Sequence, residues 1–333
     1  MAARLAASVR VVIVTPAPRG SNSGNRVTAL RWAALLRRLG LHVRVVEVWH
    51  GEPCDLLVAV HAKKTAASVL AASAALPRLR IVVLLAGTDI YPQFAPAAET
   101  AASLARADAV IALQKLSANS LSVALRAKVR TIVQSATAAP ARRSASPFRA
   151  CVLAHLRPVK DPLLPLRALA YVPKHVPIEL VLAGRALTPA LARAVTAAVA
   201  ADARARWLGE LRRRAARELL AASHLCLVPS TAEGGANVVS EAIAAGTPIL
   251  ATAIPGNIGL LGEDWPGLFA PGDAKGLGAL LARAATDAAF YQRLIDATAA
   301  LLPLVDPCRE LTAWRQLLTD LGLPPRDGGR DAR

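Results

Sequence analysis

Aromatic residues are scarce, at 4% of 333 positions, and there is a single methionine. Acidic residues are also few, 23 against 40 lysines and arginines, for a formal net charge of +17. No Cys-x-x-Cys pair, no Asp-x-Asp and no Gly-x-Gly-x-x-Gly occurs, and no apolar run approaches the length of a membrane span. Each absence excludes something. Without paired cysteines, zinc ribbons and dithiol oxidoreductases lose their ligands, and no metal site is expected. Without the glycine fingerprint, a dinucleotide-binding βαβ unit is disfavoured. The positive charge has no aromatic stacking motif beside it, and residues such as Arg31, Arg37 and Arg38 are scattered along amphipathic helices. A nucleic-acid partner is therefore not expected, and the charge suits small anionic ligands instead. Stable membrane insertion is not expected either. Cys54, Cys151, Cys226 and Cys308 read as thiols of a reducing compartment, and the stretch from Met1 into Val11–Val14 is too short for a signal peptide. Both point to the cytoplasm.

What is present is a repeated alternation of short apolar runs with helical stretches, the pattern of parallel α/β sheets. Strands are expected at 9–15, 42–48, 55–61, 81–86, 107–113 and 129–134. The Ala, Pro, Arg and Ser of 136–147 read as a linker, followed by further strands at 151–154, 178–183, 206–209, 225–229 and 249–252. Residues 272–294 read as helical, and Ile254-Pro255-Gly256-Asn257-Ile258-Gly259 as a glycine turn. The implied organisation is a domain over 1–140, a second over 148–310, a terminal helix at 311–322 and a disordered tail at 323–333.

The most informative stretch is Glu233-Gly234-Gly235-Ala236-Asn237-Val238-Val239-Ser240-Glu241, between the strand ending at Pro229 and a helix stopped by Gly246 and Pro248. Strand, glycine loop and helix together aim loop amides and a helix N-terminus at whatever lies above the strand, which favours an anion. Asn237 and Glu241 are four apart and share a helix face. In a helix this apolar, Glu241 needs partners, and sugar or ribose hydroxyls would serve; a capping Asn with a Glu paired to an Arg is the plainer reading. In the first half, the loop with Gly24-Asn25-Arg26 opens a helix. His61-Ala62-Lys63-Lys64 and Thr88-Asp89 follow strands, at the ends where open α/β sheets bind ligands. The lysines could hold a phosphate or be surface residues. Asp89 could orient a reacting hydroxyl or cap a turn.

The spacing Glu233 to Glu241, with Ala242, Gly246 and Pro248 beyond it, resembles the nucleotide-sugar site of retaining glycosyltransferases of the GT-B fold, two Rossmann-like parallel-sheet domains facing a cleft. The resemblance implies that Glu241 holds the nucleotide ribose, Glu233 the transferred sugar, and the amides around Gly234, Gly235, Ala236 and Asn237 the sugar and diphosphate. Lys160 matches the lysine that neutralises the diphosphate. His155 stands where the family has arginine, with Arg157 two residues on, so either could assist. Gly184 matches a strand-ending glycine, and Trp207 to Leu211, with Leu208, Gly209 and Leu211, the loop that touches the base.

A wider resemblance covers almost the whole chain. Thr15-Pro16, Gly24 to Trp32, His61-Ala62, Gly87-Thr88-Asp89, Gln134-Ser135-Ala136, His155-Leu156-Arg157, Lys160-Asp161-Pro162 and Gly259 to Asp264 are similar to the selenosugar synthases of selenoneine biosynthesis. That implies transfer of a hexose from UDP-N-acetylglucosamine or UDP-glucose to selenophosphate, with the UDP-sugar as substrate and no cofactor. Selenophosphate carries its own nucleophile, so the first half would hold an anion, with Gly24, Asn25, Arg26, His61, Lys63, Lys64, Thr88 and Asp89 as candidates. An ordinary glycosyltransferase acting on a hydroxyl is the other enzymatic reading; it would need a base such as Asp89 or His61.

Overall fold

The computed structural model describes residues 8–87, 89, 98–137 and 143–325. They form two compact units: Met1–Val133 with Cys308–Arg333, and Gln134–Pro307. In the first, strands β1 (Arg10–Val14), β2 (His42–Val46), β3 (Leu56–Val60), β4 (Arg80–Leu84), β5 (Ala109–Ala112) and β6 (Val129–Thr131) make one parallel sheet in the order β2-β1-β3-β4-β5-β6. In the second, β7 (Phe148–Leu153), β8 (Ile178–Ala183), β9 (Ala205–Trp207), β10 (Leu225–Val228), β11 (Ile249–Thr252) and β12 (Leu268–Phe269) are ordered β12-β11-β10-β7-β8-β9, again parallel. The central strands are continuous Val, Ile, Leu and Ala runs because helices cover both faces. β3 and β10 are buried at every position.

These orders matter for function. In each sheet the winding reverses beside its first strand, between β1 and β3 in one and between β7 and β10 in the other. Two loops diverge there, leaving a crevice at the carboxyl ends. The loop after β1 leads into the helix that begins with Gly24 to Arg26, and the loop after β3 carries His61. Those after β7 and β10 carry His155 to Lys160 and Glu233 to Asn237.

The C-terminal helix Pro307–Asp320 returns to the first unit. Trp314, fully buried, meets Trp32 edge to face at 5.0 Å, and Leu317, Leu318 and Leu321 join the same core. Glu310, 1% exposed, accepts 2.8 Å from the Trp32 indole and pairs with Arg31 at 3.3 Å. The stretch expected as one helix over 272–294 is two, Ala274–Thr286 and Ala288–Ala300. Asp287 breaks it by leaving helical backbone and accepting from Phe290 N at 2.9 Å, which starts the second helix. The turn read at 254–259 is the short helix Pro255–Leu261, opened by a proline where no amide donor is needed. The disordered tail expected at 323–333 lies outside the described residues beyond 325, as does Thr88.

Candidate active site

In the second unit, helix Asn237–Ala244 begins right after the glycine loop, with Ala236 as its N-cap. Asn237 is thus a first-turn residue. No side chain caps this end and no acidic residue lies in its first turn, so the positive end of its dipole is not offset by a carboxylate there. Gly235 has φ +137°, where a side chain would be strained. Glu241 lies one turn into the helix and is partly exposed.

Glu233, 6% exposed, pairs with the ammonium of Lys160, and Ser230 Oγ donates to the same carboxylate oxygen at 2.6 Å. Lys160 reaches it because the two loops are tied together: Thr231 N donates to Val159 O at 2.9 Å. Beneath them runs a buried chain of hydrogen bonds. Thr252 Oγ1 donates to Ser230 O at 2.5 Å, and Asn257 Nδ2 donates to Thr252 O at 3.0 Å. Gly256 lies against the back of Glu233; a Cβ on it would stand 2.0 Å from the Glu233 carbonyl oxygen. Residues Ser230, Thr252, Gly256 and Asn257 were missed in the sequence, where Gly256 read only as part of a turn.

The other donor-side candidates gather nearby. Gly184 donates 2.7 Å to Gly209 O, and the Trp207 indole donates 2.9 Å to Gly184 O. At φ +151° Gly184 lies so close to Ala154 that a Cβ would overlap its carbonyl at 1.7 Å, so only glycine fits. Leu208 is 40% exposed, in the loop compared above with a base contact. His155 has Nε2 4.0 Å from Glu210, and its Nδ1 is buried without a hydrogen-bond partner. Arg157 is exposed, and its carbonyl accepts from Lys160 N at 2.9 Å. Arg143, in the segment read as a linker, anchors the far end of the Glu241 helix: it donates to Gly246 O at 2.6 Å and Ser223 O at 3.0 Å. Two adjacent arginines among Ala, Thr, Pro and Ser leave no sequence signal for that role.

In the first unit, His61 Nδ1 lies 3.0 Å from Asp89 Oδ1. The Asp89 carboxylate also accepts from Ala62 N at 2.8 Å, Lys63 N at 3.2 Å and Ala86 N at 3.2 Å. It therefore fixes the loop after β3, where His61 has φ +102°, a backbone strain unusual outside glycine. Lys63 and Lys64 are exposed. Gly24 and Asn25 open the helix Gly24–Arg38, capped by Ser23, and Arg26 in its first turn is buried. Among the described residues, no group of three or more His, Cys, Asp and Glu could hold a metal, and no helix is long and apolar enough to cross a membrane.

Residues 136–300 match the family of Glycosyl transferases group 1. No curated protein matches the chain by sequence. Among solved structures, Anabaena Alr3699/HepE in complex with UDP-glucose superposes with a TM-score of 0.77 at 19% identity, covering 94% of this chain and 99% of that one. Sucrose-phosphate synthase from Thermosynechococcus elongatus superposes with a TM-score of 0.78 at 15% identity, covering 95% of this chain and 99% of that one. The pneumococcal O-GlcNAc transferase GtfA in complex with UDP and GlcNAc gives a TM-score of 0.66 at 15% identity over 88% of this chain and 60% of that one. These likenesses establish the GT-B fold.

Proposed function

The chain being a group 1 glycosyltransferase of GT-B fold, we propose that it transfers a hexose, glucose or N-acetylglucosamine, from a UDP-sugar to selenophosphate. The observation that carries the donor half of this reading is the contact of Lys160 with Glu233 above an uncapped helix N-terminus. A cation and the positive end of a helix dipole then serve the departing diphosphate, and a carboxylate serves the hexose hydroxyls. When donor arrives, Lys160 shifts part of its hydrogen bonding from Glu233 to the β-phosphate, and Glu233, still held by Ser230, turns its lone pairs to the sugar. Glu241 takes the ribose hydroxyls. His155 or Arg157 adds charge to the diphosphate, and Leu208 with the Gly209 and Leu211 backbone meets the base. Two of the superposed relatives hold UDP-glucose or UDP with GlcNAc in their crystals, which supports a UDP-hexose donor here.

In the transfer, the bond from C1 to the diphosphate oxygen breaks, its electron pair leaving on UDP, while selenium donates the pair of the new C1–Se bond. Loss of phosphate to water then gives the 1-seleno sugar. Selenophosphate needs no strong base, only orientation, and the whole-chain resemblance in the sequence points to it. The decisive experiment is mass spectrometry of the protein incubated with UDP-glucose or UDP-N-acetylglucosamine and fresh selenophosphate. A selenosugar mass with released UDP is expected; UDP release into a product without selenium would overturn the acceptor. The His61–Asp89 pair favours a second reading, a hydroxyl acceptor deprotonated by His61, since Asp89 would stabilise the imidazolium that forms.

A further inference from the structure

The first unit contains a buried cation that no carboxylate among its described residues compensates. Arg26 is 8% exposed, and its Nε is buried without a hydrogen-bond partner. No carboxylate among the described residues pairs with its guanidinium. It lies in the first turn of a 15-residue helix with no acidic residue there. Burying an unpaired charge is costly, and a cation at the positive end of a helix dipole adds to the cost. Nearby in the chain, Thr15 at the end of β1 is fully buried, and its Oγ1 also lacks a partner. Both residues flank the loop that leaves β1 at the winding reversal of the sheet. The exposed Lys63 and Lys64 carry no such burden.

We propose that Arg26 and Thr15 form a site for a small tetrahedral oxyanion, the phosphate end of the acceptor. This rests on the transferase reading and sharpens it. The anion supplies the missing counter-charge to the guanidinium and accepts from the Thr15 hydroxyl. An acceptor of the form X–PO3, gripped by its oxygens, leaves only X uncovered, so the site selects for a nucleophile carried on phosphorus. A neutral hydroxyl acceptor would leave the guanidinium uncompensated.

The test is thermal unfolding and calorimetric titration of the full chain with inorganic phosphate, in saturating UDP so that the diphosphate site is filled. Wild type is expected to bind phosphate and to melt higher with it. Arg26→Met is expected to melt at least as high as wild type without phosphate, because a costly charge is gone, and to bind phosphate ten- to a hundredfold more weakly, the usual loss for a charged hydrogen bond. Thr15→Val should weaken phosphate several-fold. Unchanged phosphate affinity in Arg26→Met, no phosphate binding in wild type, or a lowered melting temperature in Arg26→Met that Arg26→Lys restores without restoring phosphate binding would each overturn the proposal. UDP affinity separates the two readings: phosphate bound with no UDP bound keeps this site and removes the transferase reading, and the reverse removes this site alone.

Discussion

Replacing Gly256 with alanine tests whether the backing of Glu233 matters for catalysis. The added Cβ would lie 2.0 Å from the Glu233 carbonyl oxygen, 2.6 Å from its carbonyl carbon and 2.8 Å from its Cβ. Ordinary contact between such atoms begins at about 3.4 Å, so one side must yield by about 1.4 Å. Gly256 is held in the helix Pro255–Leu261, beside an Asn257 already hydrogen-bonded to Thr252, so the Glu233 loop is the part that moves. Overpacking of this kind costs about 1–3 kcal/mol in stability. The kinetic cost should be larger, because a shift of about 1 Å in a positioning group lowers turnover roughly a hundredfold. A control with a similar stability cost is Gly272→Ala: φ there is +78° and no atom lies within 4 Å of the added Cβ, so only backbone strain of about 1–3 kcal/mol is paid. UDP release would be followed at saturating donor and acceptor, with melting temperature and UDP affinity alongside. Gly256→Ala should lose about two orders in kcat with UDP affinity changed little, and Gly272→Ala should keep its kcat. Equal kcat in the two variants at similar melting temperatures would refute the idea that the backbone at Glu233 needs this seat.

Other outcomes follow from the same geometry. Glu241→Gln should weaken UDP about tenfold in calorimetry, the scale of one charged hydrogen bond, while the fold holds. Lys160→Met should cut kcat about 100- to 1000-fold, as removal of a charge-stabilising donor does, and it should also leave Glu233 buried without its cation and lower the melting temperature. Glu310→Ala removes the partner of Arg31 and of the Trp32 indole and should destabilise the first unit by about 3–5 kcal/mol, read by chemical denaturation. In acid, two groups act in the same direction. Hydrogen bonding from Arg204 holds the Asp202 carboxyl well below its usual range, so its stabilisation is present above the unfolded carboxylate pKa and is lost as pH falls through the folded one. Burial lowers the pKa of His224, so below its unfolded value, about 6.5, the unfolded chain takes up protons that the folded chain resists. Melting temperature should therefore fall from pH 7 to pH 5 through His224, a slope that His224→Gln should flatten, and fall further below about pH 4 through Asp202.

The reliable parts of the sequence were those where local pattern and burial agree. Continuous apolar runs marked the strands because parallel strands are covered on both faces, while β12, two residues long, had too little pattern to register. The glycine loop at 233–241 stood out because successive glycines between an apolar strand and a helix form a local pattern that residue type alone reveals. Helix ends were harder: a hydrophobic face alone carried 272–294 through Asp287, whose cap overrides the period. The support beneath Glu233 was invisible for another reason. Ser230, Thr252, Gly256 and Asn257 lie on two strands' ends and a short helix, and their hydrogen bonds exist only once β10 and β11 are paired.

By itself, then, the sequence determined the parallel α/β class and the strand-loop-helix with its two glutamates, because each depends on residue type at short spacing. The tertiary structure decided which residues share a crevice, since strand order, not chain order, sets which loops diverge at a winding reversal. It also decided that the terminal helix completes the first unit, through Trp314 on Trp32 and Glu310 on Arg31, contacts between segments almost the whole chain apart. And it separated Arg26 from the other described arginines, since burial of a guanidinium depends on the packed fold and not on its residue type.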